Sequence, residues 1–329
     1  MNNVMKAYIY NGAGGPEVIS EEQREIPAAA DGEVLIKVAA FGLNRADVQQ
    51  RKGVYPPPPG ASDIPGLEVA GTIQALGRGV SGWKVGDRVA ALLAGGGYAQ
   101  YVNVASELLF PVPEDLSLVQ AAALPEVSST VVSNLFIEGQ LAAGHSVLIH
   151  GGAGGIGSMA IQLAKAVGAK VIVTASSQEK LDYCLSLGAD AGINYKEQDV
   201  LAQIKELTDG RGVDLILDVV GAKYLELNVK ALAVDGRMVV IGLQGGAKAE
   251  LNMGLLLAKR IRIIGTTLRA RPLAQKAQIV AETNERIWPM VKDRKLAVNV
   301  HKTFEFAQLQ QAHEYFDSGV HTGKIIVEV

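Results

Sequence analysis

Cysteine occurs once in the 329 residues, at Cys184. A single thiol closes no intramolecular disulfide and builds no cysteine-based metal cluster, and the count fits a reducing compartment, so a cytoplasmic location is expected. Long apolar runs are missing too; none reaches the roughly 20 residues that a spanning helix needs, and no membrane partner is expected. The opening stretch M-N-N-V-M-K-A-Y-I-Y has no basic segment followed by an apolar one, so no signal peptide is expected. Blocks of like charge are absent and the net charge is −3, which offers nucleic acid nothing to bind. The five histidines (His145, His150, His301, His313, His321) show no ligand spacing and read as structural or surface residues, so no metal is expected. The length allows two domains with separate cores.

Against that background one stretch stands out, V-L-I-H-G-G-A-G-G-I-G-S-M-A-I-Q-L-A-K, Val147 to Lys165. A short apolar run breaks into glycines, and helix formers follow at once. Gly152, Gly154 and Gly157 have the spacing G-x-G-x-x-G between a predicted strand and a predicted helix, the context a dinucleotide site requires. Such a turn needs a residue free to adopt positive φ, a backbone without Cβ where the pyrophosphate approaches, and close packing of helix on strand. The helix N-terminus adds unpaired N–H groups and a positive dipole end.

Up to about Pro125 the chain reads as short strands and turns. Met5–Tyr10, Glu33–Phe41, Val69–Leu76, Asp87–Leu92 and Tyr98–Val104 are separated by Gly-rich turns, and Pro56–Gly60 is a stiff surface loop. This predicts a β-rich, barrel-like domain. Beyond Pro125, strand-like Ser146–His150, Lys170–Ala175, Val213–Val220, Arg237–Ile241 and Arg262–Leu268 alternate with helical stretches, which predicts an α/β fold with a doubly wound parallel sheet. Val127–Gln140 reads as one helix. A long helix over Pro272–Met290 is expected to break at Trp288–Pro289, a second helix to cover Phe306–Ser318, and the last strand, Lys324–Val329, to return to the first domain.

In NAD-binding folds an acid stands roughly twenty positions past the first glycines, at the end of the second strand. Here that strand runs into T-A-S-S-Q-E-K, Thr174 to Lys180, with Ser176, Ser177 and Lys180 in place of a carboxylate. A neutral-to-positive surround suits a 2′-phosphate, so the cofactor is expected to be NADP (NADPH). The same serines also read as caps of the helix Gln178–Leu187.

Several ordered stretches, taken together, resemble one family. They include G-G-P-E (Gly14–Glu17), N-R-A-D-V-Q-Q-R-K-G-V-Y-P-P-P-P-G (Asn44–Gly60), G-L-E-V-A-G (Gly66–Gly71), V-G-D-R-V (Val85–Val89) and G-G-Y-A-Q-Y (Gly96–Tyr101). A-A-A-L-P-E (Ala121–Glu126), L-G-A-D (Leu187–Asp190), D-V-V-G (Asp218–Gly221) and G-K-I (Gly323–Ile325) continue the series. The chain is similar over its whole length to the zinc-free quinone oxidoreductases of the medium-chain dehydrogenase/reductase superfamily, the group that includes zeta-crystallin. Asn44–Gly60 looks most like the branch containing the tumour-suppressor-induced quinone oxidoreductase of animals. Where zinc-dependent relatives carry G-H-E, this chain has Gly66, Leu67 and Glu68.

The resemblance implies a GroES-like catalytic domain from residues 1–125 and 269–329, a Rossmann NADPH-binding domain from 126–268, and a cleft between them. It implies homodimers that pair along the last Rossmann strand, near Arg262–Thr267. The activity it implies is NADPH-dependent reduction of a quinone; reduction of an activated C=C bond (an enone) is the alternative, and a non-enzymatic NADPH-binding protein the third. It makes Tyr55 the donor to the acceptor oxygen and Asn44 a cleft residue near the nicotinamide ribose or substrate. On sequence alone Tyr55 reads equally as packing on its prolines, Asn44 as a helix cap, and Asp47 as a support for that helix.

For the cofactor the resemblance supplies Gly154, Gly155, Ile156 and Gly157 at the pyrophosphate and Ser176, Lys180 and Tyr195 at the adenine-side phosphate. It adds Thr130 and Ile241, Gly242 and Leu243 at the nicotinamide, with Leu268, Arg269 and Lys324 reaching in from the C-terminal side. Thr130 reads also as a helix-interior threonine, and Arg269 and Arg271 as a solvated basic edge.

Overall fold

The computed structural model describes residues 3–329; Met1 and Asn2, the first two residues of the stretch read for a signal peptide, lie outside the described residues. The chain divides into two compact units, one running up to Ser129 and resuming at Leu268–Val329, the other spanning Thr130–Thr267.

The split unit begins with strand β1 (Val4–Tyr10), paired antiparallel with β2 (Ile19–Glu25). Then come β3 (Glu33–Gly42), helix α1 (Arg45–Arg51), β4 (Glu68–Leu76), β5 (Arg88–Leu92), β6 (Tyr101–Ala105), β7 (Leu109–Pro111), α2 (Leu118–Ala121) and α3 (Pro125–Val131). β2 carries almost no apolar signal, I-S-E-E-Q-R-E, because only Ile19 is buried and the other positions alternate between half-buried and exposed.

The central unit contains β8 (Ser146–His150), α4 (Gly155–Ala166), β9 (Lys170–Ala175), α5 (Gln178–Ser186), β10 (Ala191–Asn194), α6 (Val200–Leu207), β11 (Val213–Asp218), α7 (Leu225–Ala231), β12 (Leu232–Val240), α8 (Met253–Lys259) and β13 (Arg262–Gly265). Its strands lie parallel in the order β10-β9-β8-β11-β12-β13, a doubly wound sheet whose order reverses beside β8. Leu148, Ile172, Ile216 and Met238 form the centre of its core. The helix expected over Val127–Gln140 is two pieces: α3 passes into a π-helix, Val132–Glu138, closed by the Gly139 N–H on the Asn134 carbonyl. A Cβ on Gly139 would sit 2.6 Å from that carbonyl, so the wide turn requires glycine.

The chain then re-enters the split unit as α9 (Leu273–Lys292), β14 (Val300–Glu305), α10 (Leu309–Ser318) and β15 (Lys324–Glu328). β15 lies between β14 and β3, which completes a seven-stranded sheet in the order β14-β15-β3-β4-β5-β7, with β6 also on β3. The break expected at Trp288–Pro289 does not occur; α9 runs on to Lys292. A proline inside a helix costs about 3 kcal/mol. Trp288 stacks on Phe110 at 4.8 Å and donates to the Pro111 carbonyl, while Ile287 and Val291 are buried, so packing outweighs that cost.

Two buried histidines brace these units. His150 spans Thr174 Oγ1 (3.1 Å) and Asn228 Oδ1 (2.8 Å), and burial pushes its imidazole down to about 4. Burial and the Arg51 charge push His313 down to about 3. Both stay neutral in the fold but charge in the unfolded chain below its ordinary 6.5, so their contribution is full above that pH and is lost as pH falls. At pH 5 the loss is about 2 kcal/mol per histidine. Urea unfolding at pH 7 and pH 5 is expected to show it, with a shallower pH slope for His150→Gln than for the wild type.

Candidate active site

In the central unit, β8 ends at His150 and the glycine turn leads into α4. Its glycines have separate duties. The one at positive φ (70°) is Gly151, just ahead of the G-x-G-x-x-G spacing. Gly152 and Gly157 are required by packing: a Cβ on Gly152 would meet Val173 at 2.8 Å, and one on Gly157 would meet the Gly151 carbonyl at 2.4 Å. Gly154 differs from all three. Its φ is −76° and a Cβ there would meet nothing nearer than 3.6 Å, so neither strain nor packing demands glycine. Gly154 is also the N-cap of α4, with no side-chain cap and no acid in the first turn. Bare N–H groups beside an open, Cβ-free position are a cradle for a pyrophosphate. Gly155 and Ile156 form the first turn over it, both half-buried.

At the end of β9 the two serines divide the roles left open above. Ser177 caps α5, its Oγ accepting the Lys180 N–H at 3.4 Å, while Ser176 takes no part in the cap. The Tyr195 N–H bonds the Ala175 carbonyl at 3.2 Å, which puts Tyr195, 43% exposed, at the same sheet end as Ser176. Along the sheet, the buried carboxyl of Asp218 accepts the Val220 and Gly221 N–H groups, and its carbonyl accepts the Ile241 N–H. Gly242 follows in close contact with the Val219 carbonyl, and Leu243 stands 57% exposed. Thr130 is buried, its carbonyl taken by Asn134 Nδ2 at 2.7 Å.

In the split unit a buried polar cluster surrounds Asn44. Lys324 Nζ donates to Glu68 Oε1 (2.6 Å), Asn44 Oδ1 (2.6 Å) and the Leu43 carbonyl (3.0 Å). Asn44 Nδ2 donates to Glu68 Oε1 (3.0 Å) and toward the Gly42 carbonyl (3.4 Å). Glu68 Oε2 accepts the Glu126 N–H at 3.0 Å. A Cβ on Gly42 would lie 2.3 Å from Glu68 Oε1, so glycine there makes room for the carboxylate. Asn44 and Asp47 form a capping box at the start of α1: the Asn44 side chain accepts the Asp47 N–H, and Asp47 Oδ2 accepts the Asn44 N–H at 2.8 Å. Both Nδ2 hydrogens are engaged, and the side-chain oxygen accepts from Lys324 and from the first turn of the helix, so the Asn44 amide is held fixed inside the cluster.

Two residues expected at the cofactor are turned inward. All three N–H bonds of Lys324 end inside the cluster, so it acts through Asn44. Arg269 is no solvated edge: it is 5% exposed, with Nε on the Ala94 carbonyl and Nη2 on Gln50 Oε1, both at 2.7 Å. Its guanidinium lies 5.7 Å from the Tyr55 ring centre, so Tyr55 packs on a cation as well as following its loop. Burial raises the Tyr55 hydroxyl above its usual value, and Arg269 opposes the rise. Leu268 is half-buried beside it.

Glu68, Arg51 and Tyr98 were not singled out from the sequence. Arg51 is wholly buried, paired with Asp317 and donating from Nη1 to His313 Nδ1 at 3.1 Å. An arginine only donates, so His313 carries its hydrogen on Nε2 and gives it to the Tyr98 hydroxyl oxygen at 3.1 Å. Tyr98 also interacts electrostatically with Asp47 and Tyr10. One signal was visible: a lone carboxylate, Glu68, in the apolar run G-L-E-V-A-G. Lys324→Met strands that carboxylate and is expected to cost about 3–5 kcal/mol in denaturant unfolding. The double change Glu68→Gln/Lys324→Met should recover most of the loss.

Residues 30–114 match the family model for the alcohol dehydrogenase GroES-like domain, and residues 155–282 the one described as zinc-binding dehydrogenase. The quinone oxidoreductase of Rattus norvegicus is 38% identical over 257 residues, 78% of each chain. The crystal structure of a Pseudomonas syringae quinone oxidoreductase superposes with a TM-score of 0.89 at 32% identity, covering 99% of this chain and all of that one. An Escherichia coli quinone oxidoreductase complexed with NADPH gives 0.89 at 28% identity, covering 98% and 100%. Zinc does not fit the residues present. Among the described residues no three His, Cys, Asp or Glu stand together to hold a metal, Leu67 is buried, and burial pushes the Cys184 thiol up to about 12. The chain belongs to the quinone oxidoreductase family of the medium-chain dehydrogenase/reductase superfamily, the zeta-crystallin-like group.

Proposed function

We propose that the protein is an NADPH-dependent quinone oxidoreductase that works without a metal. The observation that carries the reading is the cradle at Gly154, a glycine that the fold itself does not need. It is supported by relatives named quinone oxidoreductases and by a structural neighbour described as complexed with NADPH. Bound NADPH supplies the hydride. Gly154, Gly155, Ile156 and Gly157 hold the pyrophosphate, with Gly152 keeping the turn against its sheet. Ser176, Lys180 and Tyr195 receive the 2′-phosphate, since no carboxylate at the end of β9 would repel it. Thr130, Ile241, Gly242 and Leu243 face the nicotinamide end, and Asn44 stands near the nicotinamide ribose or the substrate.

A quinone needs little electrophilic help, because its reduced form is aromatic. The protein's work is to position it and to offer one donor, the Tyr55 hydroxyl. Oxidation of NADPH and NADH with benzoquinone, an ortho-quinone and an enone tests the reading. Quinone-dependent oxidation of NADPH is expected, with Lys180→Glu raising its KM about tenfold and leaving that of NADH nearly unchanged. Turnover on the enone alone would make the protein a C=C reductase, with Tyr55 protonating the α-carbon. Tight NADPH binding without turnover would leave a binding protein.

The reading extends to a homodimer in the cytoplasm. β13 is an edge strand with one side unpaired, and exposed Ile263, Met253 and Leu257 accompany it on β13 and α8. Sedimentation is expected to give twice the 34.6 kDa chain mass, and Leu257→Glu/Ile263→Glu to halve it.

A further inference from the structure

Among the buried polar atoms of the split unit that have no hydrogen-bond partner among the described residues are Oδ1 of Asp47, Nη1 of Arg269 and the hydroxyl of Tyr10. Asp47 is 1% exposed and Arg269 5%. The three belong together: Asp47 and Arg269 each act electrostatically on the other and on Tyr10. Arg269 also grips Gln50, one turn beyond Asp47 on the same face of α1. One of the three atoms only accepts, one only donates, and the third does either. Buried groups of this kind seek partners, and one internal water has the donors and acceptors that an acceptor, a donor and a hydroxyl require.

We propose that Asp47 is the proton store of the reaction, connected to the Tyr55 hydroxyl through water lodged between Asp47, Arg269 and Tyr10. The proposal rests on the quinone reductase reading. Hydride addition to a quinone leaves a hydroquinone monoanion and consumes one proton. The Tyr55 O–H breaks and its proton completes the hydroquinone. The tyrosinate, held beside the Arg269 cation, takes a proton relayed by the water from the Asp47 carboxylic acid. Asp47, now a carboxylate, regains its proton from solvent, so each turnover uses one hydride and one proton per quinone.

The surroundings suit a group that changes charge in place. Facing Asp47 are Asn44 at the cap of its helix, Tyr10 on β1, Tyr98 ahead of β6, Arg269 after β13 and Lys324 on β15. His313, behind Tyr98, is neutral. Burial favours the acid, while the Asn44 N–H, Lys324, Tyr98 and Arg269 favour the carboxylate, and the balance lifts Asp47 to about 6. The acid form is therefore populated at the pH where an internal proton donor is useful.

Asp47→Asn tests the idea, because an amide still accepts the Asn44 N–H and holds no transferable proton. In infrared titration the wild type is expected to show a carboxylic acid C=O band fading near pH 6 that the variant lacks, a readout that needs no turnover. With benzoquinone the variant should lose about tenfold in kcat with NADPH KM unchanged. It should also lose the fall in kcat as pH rises through 6 and the wild-type solvent deuterium isotope effect. Tyr10→Phe, which removes one ligand of the water and nothing larger, should move kcat and the isotope effect in the same direction with an unchanged melting temperature. Quinone turnover without the band, or a folded Asp47→Asn protein with the wild-type pH profile, would overturn the proton store alone. No turnover with any quinone would overturn the enzymatic reading and the store together.

Discussion

The buried ion pair between Glu68 and Lys324 is the constraint on which the catalytic side of the molecule depends. It joins β4 to β15, two strands separated by the whole central unit, and so helps to close a unit whose chain leaves at Ser129 and returns at Leu268. The pair is almost fully buried, and such a pair holds only when every remaining donor and lone pair finds a partner. Here Leu43, Asn44 and the Glu126 N–H provide them. The consequence is also local, because the cluster fixes the Asn44 amide, whose two donors and oxygen are all engaged within it.

The glycine turn shows a different economy. Five glycines in seven residues look redundant in sequence, yet Gly151 is the one at positive φ and Gly152 and Gly157 are required by packing. Once those duties are assigned, Gly154 remains unexplained by the protein, and a ligand's approach is the reason left for it. Around the turn, His150 and Thr174 anchor the end of β8 to β9, so the loop is held from beneath while its upper face stays open.

A second polar chain runs through the split unit from Asp317 to Arg51, His313, Tyr98 and Asp47. Arg51 sets its direction, since a group that can only donate fixes the tautomer of His313 and with it the role of Tyr98. Asp47 stands where this chain meets the Asn44 cluster and the Arg269–Tyr55 pair. Read as a helix support, it is that in part, since it holds the Asn44 N–H; its second oxygen has no such task.

Local chemistry determined the parts of this protein that were legible in its sequence. The alternation of buried strands and helices, the glycine turn and the Ser177 cap all follow from patterns within a few residues. Tertiary structure decided the rest. The edge strands β2 and β14 bury too few side chains to announce themselves, and α9 continues past Pro289 only because Trp288 finds Phe110. Which polar residues pair with one another was likewise beyond local reading. Glu68 with Lys324, Arg51 with His313 and Arg269 with Ala94 are partners 175 or more positions apart, and hydrogen bonds of that reach exist only after the chain has closed on itself.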